Sequence, residues 1–242
     1  INTKDEQVIQ QLMNIVVVGG GPTGVELGGA IADMKKYVLP KDYPELDFTK
    51  MKIYLLEGSD KLLRNMSDKS SGASRGYLEK MGVTVLTNTL LKDYDGEKIT
   101  LQNGNTIITK MVIWAAGIKG NVPEGIDKSL IAGGNRIKTD RQCKVMGSTN
   151  IFAIGDVAYM EEPGWPYGHP QVAPVAMQMA DMMANNLRRI EMKSNKDALE
   201  EFVYNDKGNM ATVGRNLAVV DMPRPKLHFS GFLAWMIWMA LH

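Results

Sequence analysis

The chain has 242 residues, 44% of them hydrophobic, and a formal net charge of +1, which allows one large domain or two smaller ones. The near-neutral charge gives no reason to expect a nucleic-acid partner. Because Cys143 is the single cysteine of the sequence, an internal disulfide and a redox Cys-x-x-Cys pair are excluded, and a cytosol-facing compartment fits.

The first strong pattern is a glycine-rich stretch between a strand and a helix. The apolar run Ile15–Val18 predicts a short buried strand, and an apolar-periodic helix follows the glycines. Gly19, Gly21 and Gly24 fit G-x-G-x-x-G. In such a turn the first glycine permits a sharp reversal, the second lets a pyrophosphate approach, and the third lets the helix pack on the strand. The pattern favours a dinucleotide site, with a purely structural turn as the alternative.

The second pattern is an acid at the end of the next apolar run. Pro40 and Pro44 predict a loop that no helix interrupts, and Lys52–Leu56 then predicts a buried strand that leads into Glu57. An acid at this place accepts hydrogen bonds from the adenosine ribose and repels a 2′-phosphate. An ordinary solvated glutamate is the alternative. No arginine directly follows Glu57, so the sequence favours NAD over NADP.

The next elements complete a β-α-β-α-β order and then change character. They are a helix over 67–80 and strands over 83–87, 90–93, 98–102, 106–108 and 111–114. Asp-Gly and Asn-Gly pairs between the middle strands predict an antiparallel meander. The small-residue turn Ala115-Ala116-Gly117 follows the last strand.

The remainder of the chain is loop-rich before it becomes helical. An apolar run from Asn150 predicts a strand that ends at Gly155-Asp156, and residues 171–189 predict a long helix interrupted early by Pro174. Residues 201–221 predict two strands around Lys207-Gly208, which Pro223 and Pro225 end.

The tail Gly231–Leu241 is almost entirely apolar and carries Trp235 and Trp238. It is shorter than the ~20 residues that span a bilayer. As a helix it would be apolar nearly all round, which predicts a helix lying on or dipping into one membrane leaflet. A buried helix that closes the core, or a contact in a homodimer, is the alternative.

Three segments in this order resemble flavoproteins with two dinucleotide-binding domains: residues 17–26, 112–117 and 152–156. Segments 171–178, 208–214 and 231–235 narrow the resemblance to the bacterial type II NADH:quinone oxidoreductases. That family carries two glycine fingerprints, and this sequence contains the second alone. The resemblance therefore implies the C-terminal portion of such an enzyme, without the first FAD-binding βαβ unit.

The implied fold class is α/β. Residues 1–117 would form a Rossmann-like NAD-binding domain with an antiparallel meander. Residues 118–200 would form the C-terminal part of a second, FAD-binding Rossmann-like domain. Residues 201–242 would form C-terminal strands and an apolar, membrane-facing helix.

The resemblance also implies roles in NADH binding. Gly19, Gly21 and Gly24 would hold the pyrophosphate and Glu57 the adenosine ribose. Ala116 and Gly117 would lie in the turn that leads back to the FAD domain. Glu26 would sit near the nicotinamide and the flavin as a catalytic residue, with a first-turn acid that complements the helix dipole as the alternative.

Further roles concern the flavin and the quinone. Asp156 would bind the ribityl or phosphate region of FAD, and Gly155 would allow close approach, with a simple turn cap as the alternative. Gln178 matches the second glutamine of a quinone-side motif whose first glutamine is replaced by Pro174. A glutamine that only packs the helix is an equal interpretation of Gln178.

The implied activity belongs to the respiratory chain. Hydride would pass from NADH to FAD, and two electrons would then pass to a membrane quinone, with no metal and no protein nucleophile. The enzyme would be peripheral on the cytoplasmic face of the bacterial inner membrane. Two alternatives are an isolated NADH-binding module without catalysis and a soluble NADH-dependent flavoprotein reductase with a protein acceptor.

Overall fold

The computed structural model describes residues 3, 5–192 and 199–241. The chain divides into two compact units, Ile1–Gly117 with Lys207–His242, and Ile118–Asp206. The sequence sets residues 201–242 apart as a segment of their own. The structure groups the residues from Lys207 onward with the first unit, because their strands pack on a helix of that unit.

The first 117 residues form a parallel sheet with helices and a separate antiparallel meander. The elements are α1 (Glu6–Met13), β1 (Asn14–Val18), α2 (Pro22–Tyr37), α3 (Leu39–Asp42), β2 (Lys52–Leu56), α4 (Asp68–Lys80), β3 (Val83–Leu86), β4 (Leu91–Tyr94), β5 (Lys98–Leu101), β6 (Thr106–Ile108) and β7 (Met111–Trp114). The parallel sheet has the order β3-β2-β1-β7, and the meander has the order β4-β5-β6. The predicted α/β class with an antiparallel meander is confirmed.

The core of this unit lies around the central strands β1 and β2. All five residues of β1 are buried, as expected for a strand covered on both faces. Val17 and Ile53 pack in one cluster with Val25 of α2 and Leu78 of α4. The two crossover helices therefore pack against the sheet, and this packed core supports the turns at the carboxyl ends of its strands.

One helix in this part contradicts the expectation from the prolines. The loop after α2 was expected to contain no helix, yet α3 spans Leu39–Asp42 with Pro40 in its first turn. A proline is tolerated there because the N–H groups of a first helical turn have no partner inside the helix.

The second unit contains short strands and one long helix. The elements are β8 (Ile131–Ala132), β9 (Arg136–Lys138), β10 (Ala158–Tyr159) and α5 (Ala173–Glu191). The strands form a sheet in the order β10-β9-β8. Their core includes Ile137, Cys143 and Phe202, which cluster with Val175 and Met179 of α5.

Two predictions for this unit are wrong. The run from Asn150 to Asp156 is not a strand, because among the described residues its pairing is limited to the bridge of Phe152 with Lys144, and the chain then enters a 3-10 turn at Gly155–Val157. The long helix is not interrupted by Pro174. It begins at Ala173, and Pro174 occupies the first turn, where its missing N–H costs no hydrogen bond.

The C-terminal elements complete the first unit. They are β11 (Asn209–Gly214), β12 (Leu217–Pro223), β13 (Lys226–Gly231) and α6 (Phe232–Leu241), with the strands antiparallel in the order β11-β12-β13. The predicted turn at Lys207-Gly208 is wrong, because the reversal between the strands uses Asn216 at φ +62°. Pro223 ends β12 as expected, but Pro225 is followed by a strand that the sequence did not predict.

The apolar tail is helical, as its pattern suggested. Across the described ranges, every helix is too short or too polar to cross a membrane.

Candidate nucleotide and flavin sites

The glycine turn joins β1 to α2 at the carboxyl edge of the parallel sheet. Gly19 has φ +113°, and a Cβ atom there would lie 2.5 Å from the carbonyl oxygen of Ala115. A Cβ atom on Gly24 would overlap the carbonyl oxygen of Gly19. The first and third glycines are therefore required by the protein itself, one by its backbone conformation and the other by the close packing of α2 on the turn.

Gly21 differs from Gly19 and Gly24 because no atom of the described residues would obstruct a side chain there. Its backbone is extended with φ −72°, and a Cβ atom there would meet nothing within 4 Å. Gly21 is the N-cap of α2 and, having no side chain, leaves the first N–H groups of the helix uncapped. The first N–H groups of the helix have no partner inside it, and they carry the positive end of the helix dipole. The open space at Gly21 fits a pyrophosphate group bound by that helix end.

Glu57 lies beside this turn, immediately after β2. Its Oε2 accepts the N–H of Gly20 at 2.5 Å, and its Oε1 accepts the N–H of Ser59 at 2.7 Å. Burial favours the neutral carboxyl, but the hydrogen bonds from Ser59 and Gly20 and the charge of Arg64 outweigh it, so the pKa of Glu57 lies below its usual range. Glu57 is thus an ionised acceptor held against the glycine turn, with lone pairs left for ribose hydroxyls.

The turn Ala115-Ala116-Gly117 meets the glycine turn from the other side. The Ala115 N–H donates to the Val18 carbonyl at 2.8 Å, and Gly117 has φ +92°. β2 and β7 flank β1 on opposite sides, so the chain connections to these two strands diverge at the carboxyl end of β1. Open α/β sheets bind their ligands at such a point. The structure therefore brings together Gly19, Gly21, Gly24, Glu57, Ala116 and Gly117.

Glu26 lies in the second turn of α2, so the alternative of a first-turn acid does not describe it. Its Oε1 accepts the N–H of Thr212 in β11 at 3.3 Å. This carboxylate therefore links α2 to the C-terminal sheet.

Gly155 and Asp156 lie in the second unit, in the 3-10 turn before β10. Gly155 has φ +66°, and its N–H donates to the sulfur of Met179 in α5 at 3.3 Å. Gln171 donates from Nε2 to the carbonyl of Asp156 at 2.9 Å. The carboxylate of Asp156 is exposed, so this turn is fixed from behind and presents an acid to the outside.

Gln178 is half-buried on α5, and both ends of its amide are bonded to one residue. Its Nε2 donates to the Asn205 carbonyl at 3.1 Å, and its Oε1 accepts the Asn205 N–H at 2.9 Å. These contacts correspond to the helix-packing interpretation. A contact with a quinone stays a prediction.

Sequence reasoning missed two groups in the first unit. Arg64 interacts electrostatically with Glu57 although it lies seven positions further along the chain, beyond the residue that directly follows the acid. Asp221 of β12 accepts the N–H and hydroxyl of Ser67 at the start of α4. No local pattern could have indicated the second contact, because the two residues are 154 positions apart.

One face of α6 lies open. Ala234 is fully buried against Ala218 and Val220 of β12. The exposed apolar residues of the helix are Phe232, Leu233, Met236 and Met239, each between 51% and 57% exposed. The tail is therefore packed on one side and apolar on the outside.

Comparison with known proteins identifies the family to which this chain belongs. The family model described as pyridine nucleotide-disulphide oxidoreductase matches residues 2–180. The chain is 32% identical over 252 residues to the type II NADH:quinone oxidoreductase Ndh of Mycobacterium tuberculosis, covering 99% of this chain and 52% of that protein. It is 31% identical over 244 residues to NdhA of the same organism, covering 96% and 50%. These relatives confirm the resemblance inferred from the sequence.

The chain spans about half the length of these curated relatives. Its fold is similar to that of NDH2 from Plasmodium falciparum, solved in complex with NADH, with a TM-score of 0.84 and 20% sequence identity. That likeness covers 100% of this chain and 64% of the other.

Proposed function

Because the chain belongs to the pyridine nucleotide-disulphide oxidoreductase family, we propose that it functions in a type II NADH:quinone oxidoreductase and binds NADH at the carboxyl edge of its parallel sheet. The pyrophosphate would occupy the open space at Gly21, where the N-terminus of α2 presents its free N–H groups. The Gly19 and Gly24 contacts hold that space open by fixing the turn on which the phosphates would lie.

Glu57 would bind the adenosine ribose. Its carboxylate already faces the glycine turn through Gly20, and an ionised carboxylate accepts hydrogen bonds from ribose hydroxyls. Ala116 and Gly117 would close the opposite side of the cleft. Glu26 would approach the nicotinamide with Oε2, since its Oε1 accepts the N–H of Thr212.

Gly155 and Asp156 would bind part of the flavin. The positive φ of Gly155 and the exposed carboxylate of Asp156 fit a polar ribityl or phosphate region. When bound, FAD would supply the acceptor for the hydride of NADH and the donor of two electrons to a quinone. The residues of this chain would bind and orient the partners without a protein nucleophile.

The exposed face of α6 would place the enzyme at a membrane surface, where a quinone is reached. Four apolar side chains on one short helix form the kind of face that lies in a membrane interface, and tryptophans favour that depth. We place the enzyme in the respiratory chain, peripheral on the cytoplasmic face of the bacterial inner membrane. Gln178 would lie on the quinone side.

The observation that carries the proposal is the open space at Gly21. Gly21→Ala adds a methyl group that meets no protein atom, so the fold should be unchanged while the pyrophosphate loses its approach. We expect the affinity for NADH to fall at least about tenfold, close to 1.4 kcal/mol, in isothermal titration calorimetry.

Gly72→Ala is the matched control, because a Cβ atom there also meets nothing within 4 Å and Gly72 lies in α4, away from the glycine turn. It should leave NADH affinity within about twofold, a shift under ~0.5 kcal/mol. Unchanged NADH binding by Gly21→Ala, in a protein that melts like the parent chain, would contradict the proposed site.

A further inference from the structure

The turn that carries Asp156 is held by side chains from one stretch of chain, the beginning of α5 and the residues just before it. The N–H of Gly155 donates to Sδ of Met179 at 3.3 Å, and the carbonyl of Asp156 accepts Nε2 of Gln171 at 2.9 Å. A Cβ atom on Gly155 would lie 3.1 Å from Cβ of Ala176, so the turn also packs closely on the helix. The backbone of both turn residues is therefore fixed from the side of α5.

The side chain of Asp156 is left outside this set of backbone contacts. Asp156 is exposed, and the charge of Arg136 acts on it. Gly155 has φ +66°, a conformation that glycine adopts as readily as many others. A glycine turn has little preference of its own for one orientation, so the contacts with α5 and Gln171 decide where the Asp156 carboxylate lies.

Met179 makes its contact from the core of the second unit, where it is 1% exposed. Its thioether sulfur is a weak acceptor, but an N–H that loses its acceptor is costly to the folded state. Leucine fills nearly the same volume as methionine and offers no acceptor. Met179→Leu therefore separates the hydrogen bond to Gly155 from the packing of the side chain.

We propose that Met179 and Gln171 are positioning residues for Asp156, which fix its turn so that the carboxylate is held ready for the flavin. This inference rests on the proposed function, which assigns Asp156 to the ribityl or phosphate region of FAD, and it adds two residues that act through Asp156. A group that is already ordered loses less conformational freedom on binding, so a released turn should bind a flavin more weakly.

The first measurement is amide hydrogen exchange by NMR in the isotope-labelled 242-residue chain. Met179→Leu should accelerate exchange of the Gly155 N–H about tenfold, as expected for a donor that loses its acceptor. The N–H of Ala153 is the internal reference, because it donates to the Cys143 carbonyl at 2.9 Å; its exchange should stay within about twofold. Met183→Leu is the matched control and should alter neither amide, because Met183 lies in the same helix and the same core cluster.

The second measurement is titration with FMN, which carries the ribityl phosphate without the adenosine half of FAD. Met179→Leu and Gln171→Ala should each lower FMN affinity about fivefold, and Asp156→Asn should lower it directly. In the Asp156→Asn background, Met179→Leu should cause no further loss, because a positioning residue acts through the group that it positions. Met183→Leu should leave FMN affinity within about twofold of the parent chain.

The outcomes separate this inference from the function on which it rests. Unchanged exchange of the Gly155 N–H in Met179→Leu would overturn it, and so would faster exchange with unchanged FMN affinity. Additive losses in the double variant would also overturn it, since Met179 would then act independently of Asp156. A parent chain that binds no FMN would contradict the flavin site of the proposed function, whereas faster exchange of Gly155 in Met179→Leu would still retain the fixed turn.

Discussion

A side chain at Gly29 would collide with the carbonyl oxygen of Val213, because helix α2 and strand β11 meet there backbone to backbone. One helical turn further on, Asp33 Oδ2 accepts the N–H of Arg215 at 2.7 Å. A carboxylate of the helix thus satisfies a backbone donor in the turn that follows β11. The helix that starts at the glycine turn is therefore seated directly on the C-terminal sheet.

Gly29→Ala should separate α2 from β11 and destabilise the first unit. Because both contacting groups are backbone, neither can rotate away, and we expect a loss of about 3 kcal/mol in the free energy of unfolding, at the upper end for an overpacked site. Gly28→Ala, one position earlier, is the control: its Cβ would lie 3.6 Å from Leu78, an ordinary contact. That variant should be neutral or up to about 1 kcal/mol more stable, since alanine favours helix. Equal urea midpoints for the two variants would contradict the close contact.

A second long-range contact joins β12 to the start of α4. The carboxylate of Asp221 accepts the Ser67 N–H at 2.7 Å and the hydroxyls of Ser67 and Ser70 at 2.9 and 2.8 Å. His228 Nδ1 lies 3.1 Å from the same carboxylate. Burial favours the neutral acid, but these hydrogen bonds outweigh it and lower the pKa of Asp221. The ionised form is therefore stabilised by folding.

This contact predicts a pH-dependent stability. A carboxyl whose pKa is lowered in the folded state adds stability above the pKa of the unfolded chain, about 3.9, and loses it as the pH falls through the lower folded value. Asp221→Asn should therefore cost about 1–3 kcal/mol at pH 7, and the difference from the parent chain should shrink below about pH 4. Urea unfolding at several pH values measures it.

Asp181→Asn, an exposed acid on α5, is the control and should change the free energy of unfolding by under about 0.5 kcal/mol. A cost of Asp221→Asn that stays constant from pH 7 down to pH 3 would show that ionisation of Asp221 does not stabilise the fold.

Local patterns predicted the strand, glycine turn and helix around Gly19, because the glycine spacing and the apolar run act over neighbouring residues. They also placed Glu57 correctly after β2. Strand β13 was missed because Pro225 reads as a strand end, while pairing with β12 overrides that signal. The contact of Gly29 with Val213 was out of reach for another reason: helical periodicity shows which face is buried but not which distant backbone covers it.

Gln178 offers a direct test between packing and quinone contact. Its amide bonds both the N–H and the carbonyl of Asn205, so Gln178→Met, which keeps the length without the amide, should cost about 1–2 kcal/mol in stability. Met177→Ala, one residue earlier and 66% exposed, should cost under about 0.5 kcal/mol. Thermal unfolding measures both. If Gln178→Met melts like the parent chain, the bonds to Asn205 do not stabilise the unit, and the quinone interpretation gains.

The outer face of α6 predicts binding to a lipid surface. Leu233 and Met236 are 54% and 51% exposed, on a helix whose Ala234 is buried against β12. Replacing both exposed residues by glutamate leaves the buried contact intact and places charge where an acyl chain would lie, which is costly for a helix in the membrane interface. The double variant should lose binding to liposomes in flotation assays, with NADH affinity within about twofold of the parent chain.

Ile108→Glu is the matched control, because Ile108 is 52% exposed on the meander strand β6, far from α6 in sequence. It makes the same kind of change from apolar to acidic at one position and should leave liposome binding unchanged. If the α6 double variant still floats with liposomes, the membrane role is wrong. The face is a contact between two copies if two results are found together: the parent chain does not bind liposomes, and in analytical ultracentrifugation without lipid the parent chain is a dimer and the double variant a monomer. A large loss of NADH affinity would show that the two side chains support the core of the first unit, since the residues of the proposed nucleotide site belong to that unit.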